Sequence, residues 1–412
     1  MIPQGIGHLV VFSLSLACLG KVGAQGDTDT VHRIEGVSMT GRVQSIDAKG
    51  AMAFVESDGK AATLSLNSVR SVQLRKINFA PIPRQGMVLF RSGVELPATI
   101  RKCSGRRLGI SSPLIEGEAT FSLARVQAIR FAKLPAAQEG GFKKYLKEPK
   151  EEMDLLYFKS GERVVQQSVT VEGFEDGSLV YEARGKSRSR KIERIYGLIM
   201  AKNSGFRADP LPRPRVVIQM QGGSTLRGRL DGLDKTSCKL FTEEQVNLSL
   251  NRSRMTGLLV ESDRLVFLAD LKPAKVEQTS ALRSKKPWMI NKSPMGMGIH
   301  IGGANPRKAD NGLVLIPRTG LTYEIGGRFD FFEATICIDA RSTGPAHAVF
   351  RIKNGSKVLY ESEPMTRQSE PLVIKVPIAK VIHLTIEADF GKNFDFGDHC
   401  VFAEARVIRQ GS

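Results

Sequence analysis

Three carboxylates lie close together in Asp389-Phe390-Gly391-Lys392-Asn393-Phe394-Asp395-Phe396-Gly397-Asp398, and His399 and Cys400 follow directly. Oxygen-rich turns of this kind can hold Ca2+ through Asp389, Asp395 and Asp398. The plainer reading is an Asx-turn loop in which the same side chains bond their own backbone. His399 has no second histidine nearby in sequence, so a structural hydrogen bond fits it better than a metal. Hydrolase, metalloprotease and nucleotide motifs are missing, and no stretch beside the repeats described below has the length of a catalytic barrel. The sequence therefore predicts no catalytic residues, no enzyme and no bound metal.

Cysteines 103, 238, 337 and 400 are scattered, without a CxxC or a Cys/His cluster. That excludes an ordinary zinc site and leaves two readings: buried free thiols, or a Cys337 to Cys400 bridge in the last module. Leu9 to Leu19 is an apolar run followed by Val22-Gly23-Ala24, the pattern of a signal peptide cleaved after Ala24. The head, MIPQGIGH, carries no Lys or Arg, so an uncleaved anchor and lipid attachment at Cys18 are its alternatives. Export to a periplasmic, cell-envelope or extracellular location is expected, with no transmembrane span. The formal charge of +18 would by itself suggest nucleic acid, but export argues against that partner. A cluster at 184–194 places Arg184, Lys186, Arg188 and Arg190 at alternate positions, a face for a polyanion or a solvated hairpin face.

These residues need strands to position them. Four segments repeat one order: strand, polar turn with Gly, second strand, excursion, further strand. Leu64-Ser65-Leu66-Asn67 recurs as Leu248-Ser249-Leu250-Asn251, with Phe121-Ser122-Leu123-Ala124 in the second unit. Phe90-Arg91-Ser92-Gly93 matches Phe158-Lys159-Ser160-Gly161, and Thr40-Gly41-Arg42-Val43 resembles Arg227-Gly228-Arg229-Leu230. Period-two alternation with short turns predicts four small barrels or bent sheets, similar to Sm-like or SH3-like folds, with neighbours packed in pairs because each buries little core. The predicted division is 1–24 signal peptide, 25–80 and 81–135 the first two repeats, 136–152 a linker or short surface helix, 153–206 the third repeat, 207–283 the fourth with a connector, and 284–412 a final module.

That module alternates through Glu333-Ala340, Val349-Tyr360 with Asn354-Gly355 at its turn, Leu372-Ile378, Ile382-Asp389 and Val401-Val407. Five or more short antiparallel strands mean a β-sandwich or jelly roll, so the whole chain is all-β. Pro377 marks an edge strand.

Residues Tyr323-Phe329, Ile338-Asp339, Val349-Ile352, Asn354-Gly355, Val358-Ser362 and Asp398-His399 through Ala403-Arg406 resemble the NPCBM family, a carbohydrate-binding module. Phe267 to Pro273 looks like the connector that precedes it, and the resemblance covers about residues 262–408. The chain departs from the family at Val314-Arg318, where His and Ser are usual, and at Phe402, where Trp is usual. The resemblance implies a galactose-binding-like sandwich that recognises a glycan or cell-surface polymer without cutting it. Such binding needs an aromatic platform and hydrogen-bonding side chains. Candidates near strand ends are Arg318, Tyr323, Asp339, Asp395, Asp398 and His399. Trp288 is either a platform or a core anchor. The alternative function is a structural protein of the cell envelope with no sugar site.

Overall fold

The computed structural model describes residues 28–412 except 35, 76–80, 83–85, 203–210, 280–287, 295, 304–305, 310, 393, 395–396 and 411–412. The signal peptide, the cleavage point at Ala24, Cys18 and Asp395 lie outside the described residues. Two compact units divide the chain, one ending at Glu261 and the other beginning at Ser262. Among the described residues no helix is long and apolar enough to cross a membrane.

The first unit runs the same five-strand course four times. Repeat one holds β1 (Asp29–Arg33), β2 (Ser38–Ile46), β3 (Ala51–Glu56), β4 (Ala61–Ser65) and β5 (Val69–Gln73). Repeat two holds β6 (Met87–Phe90), a second strand split into β7 (Glu95–Pro97) and β8 (Thr99–Ser104), then β9 (Arg107–Ser111), β10 (Glu118–Ser122) and β11 (Val126–Arg130). Repeat three holds β12 (Asp154–Ser160), β13 (Arg163–Glu175), β14 (Ser178–Ala183), β15 (Lys186–Lys191) and β16 (Ile195–Ile199). Repeat four holds β17 (Arg215–Met220), β18 (Thr225–Leu233), β19 (Ser237–Thr242), β20 (Asn247–Asn251) and β21 (Met255–Glu261). In each, the first strand pairs with the second and the fifth, and a single 3-10 turn separates fourth from fifth. This is the strand order of small SH3- and Sm-like barrels.

Local chemistry explains the course. Every second strand has a register shift at the same place, after Val43, Ile100, Val171 and Leu230, and a bulge there bends a strand so that a small sheet can curl. Gly41 and Gly228 precede two of these bulges. A Cβ would come within 2.1 Å of the Val55 carbonyl at the first and 2.4 Å of the Phe241 carbonyl at the second. Ser65, Ser122 and Asn251 each cap the 3-10 turn by accepting a backbone N–H two residues on, at 3.3, 3.3 and 3.0 Å. These caps correct the expected alignment of the fourth repeat. Leu248-Ser249-Leu250-Asn251 is the counterpart of Ala62-Thr63-Leu64-Ser65, two residues earlier than the textual match, because the cap sets the register.

Repeats two and three pair as neighbours, but repeat one pairs with repeat four, which corrects the expectation that only neighbours would join. The fifth strands join, Val72 opposite Leu258 in one pair and Ile129 opposite Leu198 in the other, and all four are the fourth residue of their strand. Both junctions are thus self-complementary about equivalent positions, like the isologous interface of a twofold dimer. One apolar core runs through all four repeats. Between repeats two and three, α1 (Ala136–Lys147) buries Phe142 edge-on against Tyr157, with ring centroids 5.3 Å apart.

The basic cluster only partly forms the expected face: Lys186 and Arg188 are exposed on β15 and Arg190 is half-buried. Arg184 lies in the turn at φ 55°, off the strand. Lys186, Arg188 and Arg190 do share a face of β15, but it is the face of their partners Ala183, Tyr181 and Leu179, which are buried. Arg190 occupies the position of Leu64, Phe121 and Leu250 in the other repeats, and its guanidinium sits 3.7 Å over the Phe158 ring. Inward-pointing charge on an edge strand discourages further strand pairing.

The second unit is a sandwich. Its strands are β22 (Leu265–Phe267), β23 (Lys275–Gln278), β24 (Met289–Ile290), β25 (Ile299–Ile301), β26 (Arg307–Ala309), β27 (Gly312–Leu315), β28 (Thr319–Glu324) and β29 (Phe331–Ile338). The series continues with β30 (His347–Asn354), β31 (Lys357–Glu361), β32 (Met365–Thr366), β33 (Leu372–Pro377), β34 (His383–Phe390) and β35 (Cys400–Ile408). One sheet is ordered β24-β27-β35-β29-β33 and the other β23-β28-β34-β30-β31, so Pro377 does lie in an edge strand. The main core fills the space between the sheets. The hairpin β25–β26 packs Ile299, Ile301 and Ala309 on the outer face of the first sheet.

Cys337 and Cys400 stand on neighbouring strands and are free thiols. Cys337 pairs with Val401 and Cys400 with Ile338, so the two side chains point to opposite faces of one sheet. Cys337 joins the hairpin side and Cys400 the core between the sheets. The bridge envisaged from the sequence is excluded by this geometry.

Candidate functional site

Six strand ends gather at one end of the sandwich: the ends of β27, β29 and β34 and the starts of β28, β30 and β35. Arg318, Asp339, Asp398 and His399 are all found here. Tyr323 is not. It lies five residues along β28, about 16 Å at the usual strand rise, and is wholly buried in the core. Its hydroxyl has no hydrogen-bond partner and burial pushes its pKa upward, so it is a packing residue and no platform.

Two of the gathered carboxylates face inward. Asp339 is fully buried; its Oδ1 accepts the Arg341 N–H at 2.9 Å and lies 3.7 Å from the Arg341 guanidinium. Asp398 is fully buried as well, and its Oδ1 accepts the His347 N–H at 2.8 Å, tying the start of β30 to the loop before β35. These groups hold backbone, as buried polar atoms generally must. His399 bonds through its main chain, donating to Gly397 at 3.0 Å and accepting from Asp339 at 2.9 Å.

Arg318 is half exposed and forms a bidentate pair with Asp389, Nε to Oδ1 at 2.7 Å and Nη2 to Oδ2 at 3.2 Å. Arg351 reaches the same carboxylate at 2.6 Å, then Glu387 at 3.1 Å and Glu361. Burial alone would raise the Asp389 carboxyl; the bonds from Arg318 and Arg351 outweigh it, and the net direction is downward. Asp389 is thus held by two guanidinium groups, and the calcium reading also needs Asp395, which lies outside the described residues.

The Arg318 guanidinium lies 5.1 Å from the Phe390 ring centroid, and Phe390 lies 6.0 Å from Phe394. Phe394 is 63% exposed and its backbone is left-handed, at φ 58°. At Gly391 a Cβ would come within 1.8 Å of the His347 imidazole, so only glycine lets the Phe394 loop cross His347 so closely. Among the described residues this end therefore presents an aromatic shelf, Phe394 exposed and Phe390 half-buried, beside an oriented guanidinium. Sequence reasoning named the acids of DFGKNFDFGD and passed over its phenylalanines. Aromatic residues in a Gly-rich loop were the available signal.

Trp288 is half-buried and packs against the inter-sheet core with Ile290, as an anchor does. Of the departures at Val314 to Arg318 and at Phe402, Val314 to Pro317 and Phe402 are buried, Phe402 meeting Phe350 edge-on at 5.2 Å, whereas Arg318 is half exposed and stands beside the shelf.

No curated protein sequence matches the chain. Among solved structures, a CBM51 module of a Clostridium perfringens GH95 protein, in complex with methyl-galactose, is 22% identical with a TM-score of 0.32, covering 35% of this chain and 99% of that one. A tandem of CBM51 modules from a Streptococcus pneumoniae family 98 glycoside hydrolase is 14% identical with a TM-score of 0.33, covering 62% and 88%. A Clostridium perfringens structure of CBM51-2 with GlcNAc and INT domains is 13% identical with a TM-score of 0.33, and 40% of its length is covered. Residues 264–408 match the family model of the NPCBM/NEW2 domain.

Proposed function

We propose that the chain is an exported, non-catalytic recognition protein whose C-terminal sandwich binds a glycan or cell-surface polymer on the Phe390–Phe394 shelf. The observation that carries this reading is the exposed Phe394 ring beside the Arg318–Asp389 pair, at the loop end of a carbohydrate-binding module. The apolar face of a pyranose stacks on an aromatic ring, while a planar guanidinium fork bonds neighbouring hydroxyls. Arg318 keeps donors free for this, since Nη1 takes no part in the pair with Asp389. Asp339 and Asp398 position the loops without touching the sugar. Lys186 and Arg188, exposed on β15, are the residues a polyanion would meet on the repeats.

A glycan array probed with the full chain and with Phe394→Ala tests the reading. Retained glycans that the variant loses support it. An array blank for the wild type, or equal binding by the variant, removes it in favour of a structural role in the envelope. The burial of Asp339 and Asp398, two of the expected ligand groups, is the observation on that side.

A further inference from the structure

The fourth strands of repeats one, three and four meet the outside differently. The outer edge of β20 is covered from within the chain: Leu114-Ile115-Glu116 lies along it, with a bridge from Ile115 to Leu250. Glu116 N–H donates to the Ser249 carbonyl at 2.8 Å and Asn251 N–H donates to the Leu114 carbonyl at 3.1 Å. The Ser249 hydroxyl donates to the Glu116 carboxylate at 2.5 Å. On β15, charge pointing inward guards the edge.

Strand β4 has neither device. It is terminal in its sheet, and among the described residues no strand or loop pairs with its outer side. Its sequence, Ala61-Ala62-Thr63-Leu64-Ser65, carries no charge. Equivalence through the caps puts Thr63 where β20 has Ser249, Leu64 where it has Leu250 and Ser65 where it has Asn251. The Glu56 N–H bonds the Lys60 carbonyl and the Leu66 N–H bonds the Gly50 carbonyl, so in the antiparallel alternation Ala61, Thr63 and Ser65 turn their backbone groups outward. Each contact that β20 makes to its cover thus has a counterpart on β4: the Thr63 carbonyl, the Ser65 N–H and the Thr63 hydroxyl.

We propose that β4 is a strand-addition site for an extended segment of a partner protein with the chemistry apolar-apolar-acidic, the pattern Leu114-Ile115-Glu116 displays on β20. Backbone bonds supply affinity in this mode and side chains supply choice. The acid is selected by the Thr63 hydroxyl, and the backbone flanking it pairs with Thr63 and Ser65.

The probe is a fluorescent peptide of residues 111–118, titrated against the full chain by anisotropy. Saturable binding is expected, weakened about tenfold or more by Thr63→Glu, which sets like charge against the acid. Replacing Glu116 by Lys in the peptide is expected to weaken it as well. Thr63 is exposed, so the variant keeps the wild-type circular dichroism spectrum; should it not, Thr63→Val, which removes only the hydroxyl, decides in its place with a few-fold loss. No saturation by about 1 mM peptide overturns the proposal. So does equal affinity in wild type and variants, which would place the peptide on β20 or elsewhere. A dimer that Thr63→Glu dissociates in sedimentation also overturns it, by making a second copy the occupant.

Discussion

Buried aspartates do the same work in the repeats and in the sandwich, yet among the described residues only the sandwich leaves an aromatic ring largely exposed near them. Asp29 at the start of β1 accepts the Val43 N–H at 2.8 Å and the Arg75 N–H at 3.0 Å. Asp154 at the start of β12 accepts the Val171 and Ala201 N–H groups at 2.8 and 2.7 Å. Each clamps the first strand to the second and to the exit of the fifth. Asp398 ties β30 to the loop before β35 in like manner. The difference teaches that a carboxylate at a strand end is first a means of satisfying backbone. Recognition is carried by what remains exposed afterwards, here Phe394 and Arg318.

Removing a buried ring gives the largest expected effect. Phe402→Ala should cost the sandwich about 3–5 kcal/mol, read from urea unfolding followed by circular dichroism. Phe394→Ala should leave that transition within about 0.5 kcal/mol of wild type while abolishing glycan retention. Equal destabilisation by both would erase the distinction between packed and presented rings.

Asp154→Ala should destabilise the repeats by about 2–4 kcal/mol, because two N–H groups lose their acceptor. Asp154→Asn, which keeps one acceptor oxygen, should cost less. If Asp154→Ala proves neutral, the clamp is decoration and the comparison fails.

A smaller effect is expected from pH. The Asp389 carboxyl is lower in the folded protein than in the unfolded chain, so its pairing stabilises the fold above about pH 4 and is lost as pH falls through the folded value. Acid titration of the unfolding midpoint should therefore show a decline below about pH 4 that Asp389→Asn reduces. A decline of the same size in the variant would assign the acid sensitivity to other groups. The smallest change is expected for Cys337→Ser under reducing and oxidising conditions: thiols on opposite faces form no bridge, so oxidant should not shift the wild-type midpoint relative to the variant.

Much of the architecture was legible before any coordinates. Alternation through β29, β30, β34 and β35, the turn after Asn354, and the recurrent Gly41 and Gly228 are local matters of period two and of backbone clearance. The match of Leu64-Ser65 to Leu248-Ser249 failed by two residues because similarity of letters ignores the cap, and Asn251 caps as well as Ser65 does. Of the site, Arg318 was legible as a charged residue at a strand start. Phe394 was not, because exposure depends on the loop's crossing over His347.

By itself, then, the sequence determined the alternation of the strands and the turns between them, since these follow from contacts within a few residues, while its resemblance to the NPCBM family carried the sandwich. Tertiary structure alone decided that repeat one joins four and two joins three, and that Cys337 and Cys400 face apart. It alone turned Asp339, Asp398 and Phe402 inward and Phe394 outward. Those outcomes turn on which surfaces meet across long stretches of chain, and the burial of a side chain is a property of its partners as much as of its own chemistry.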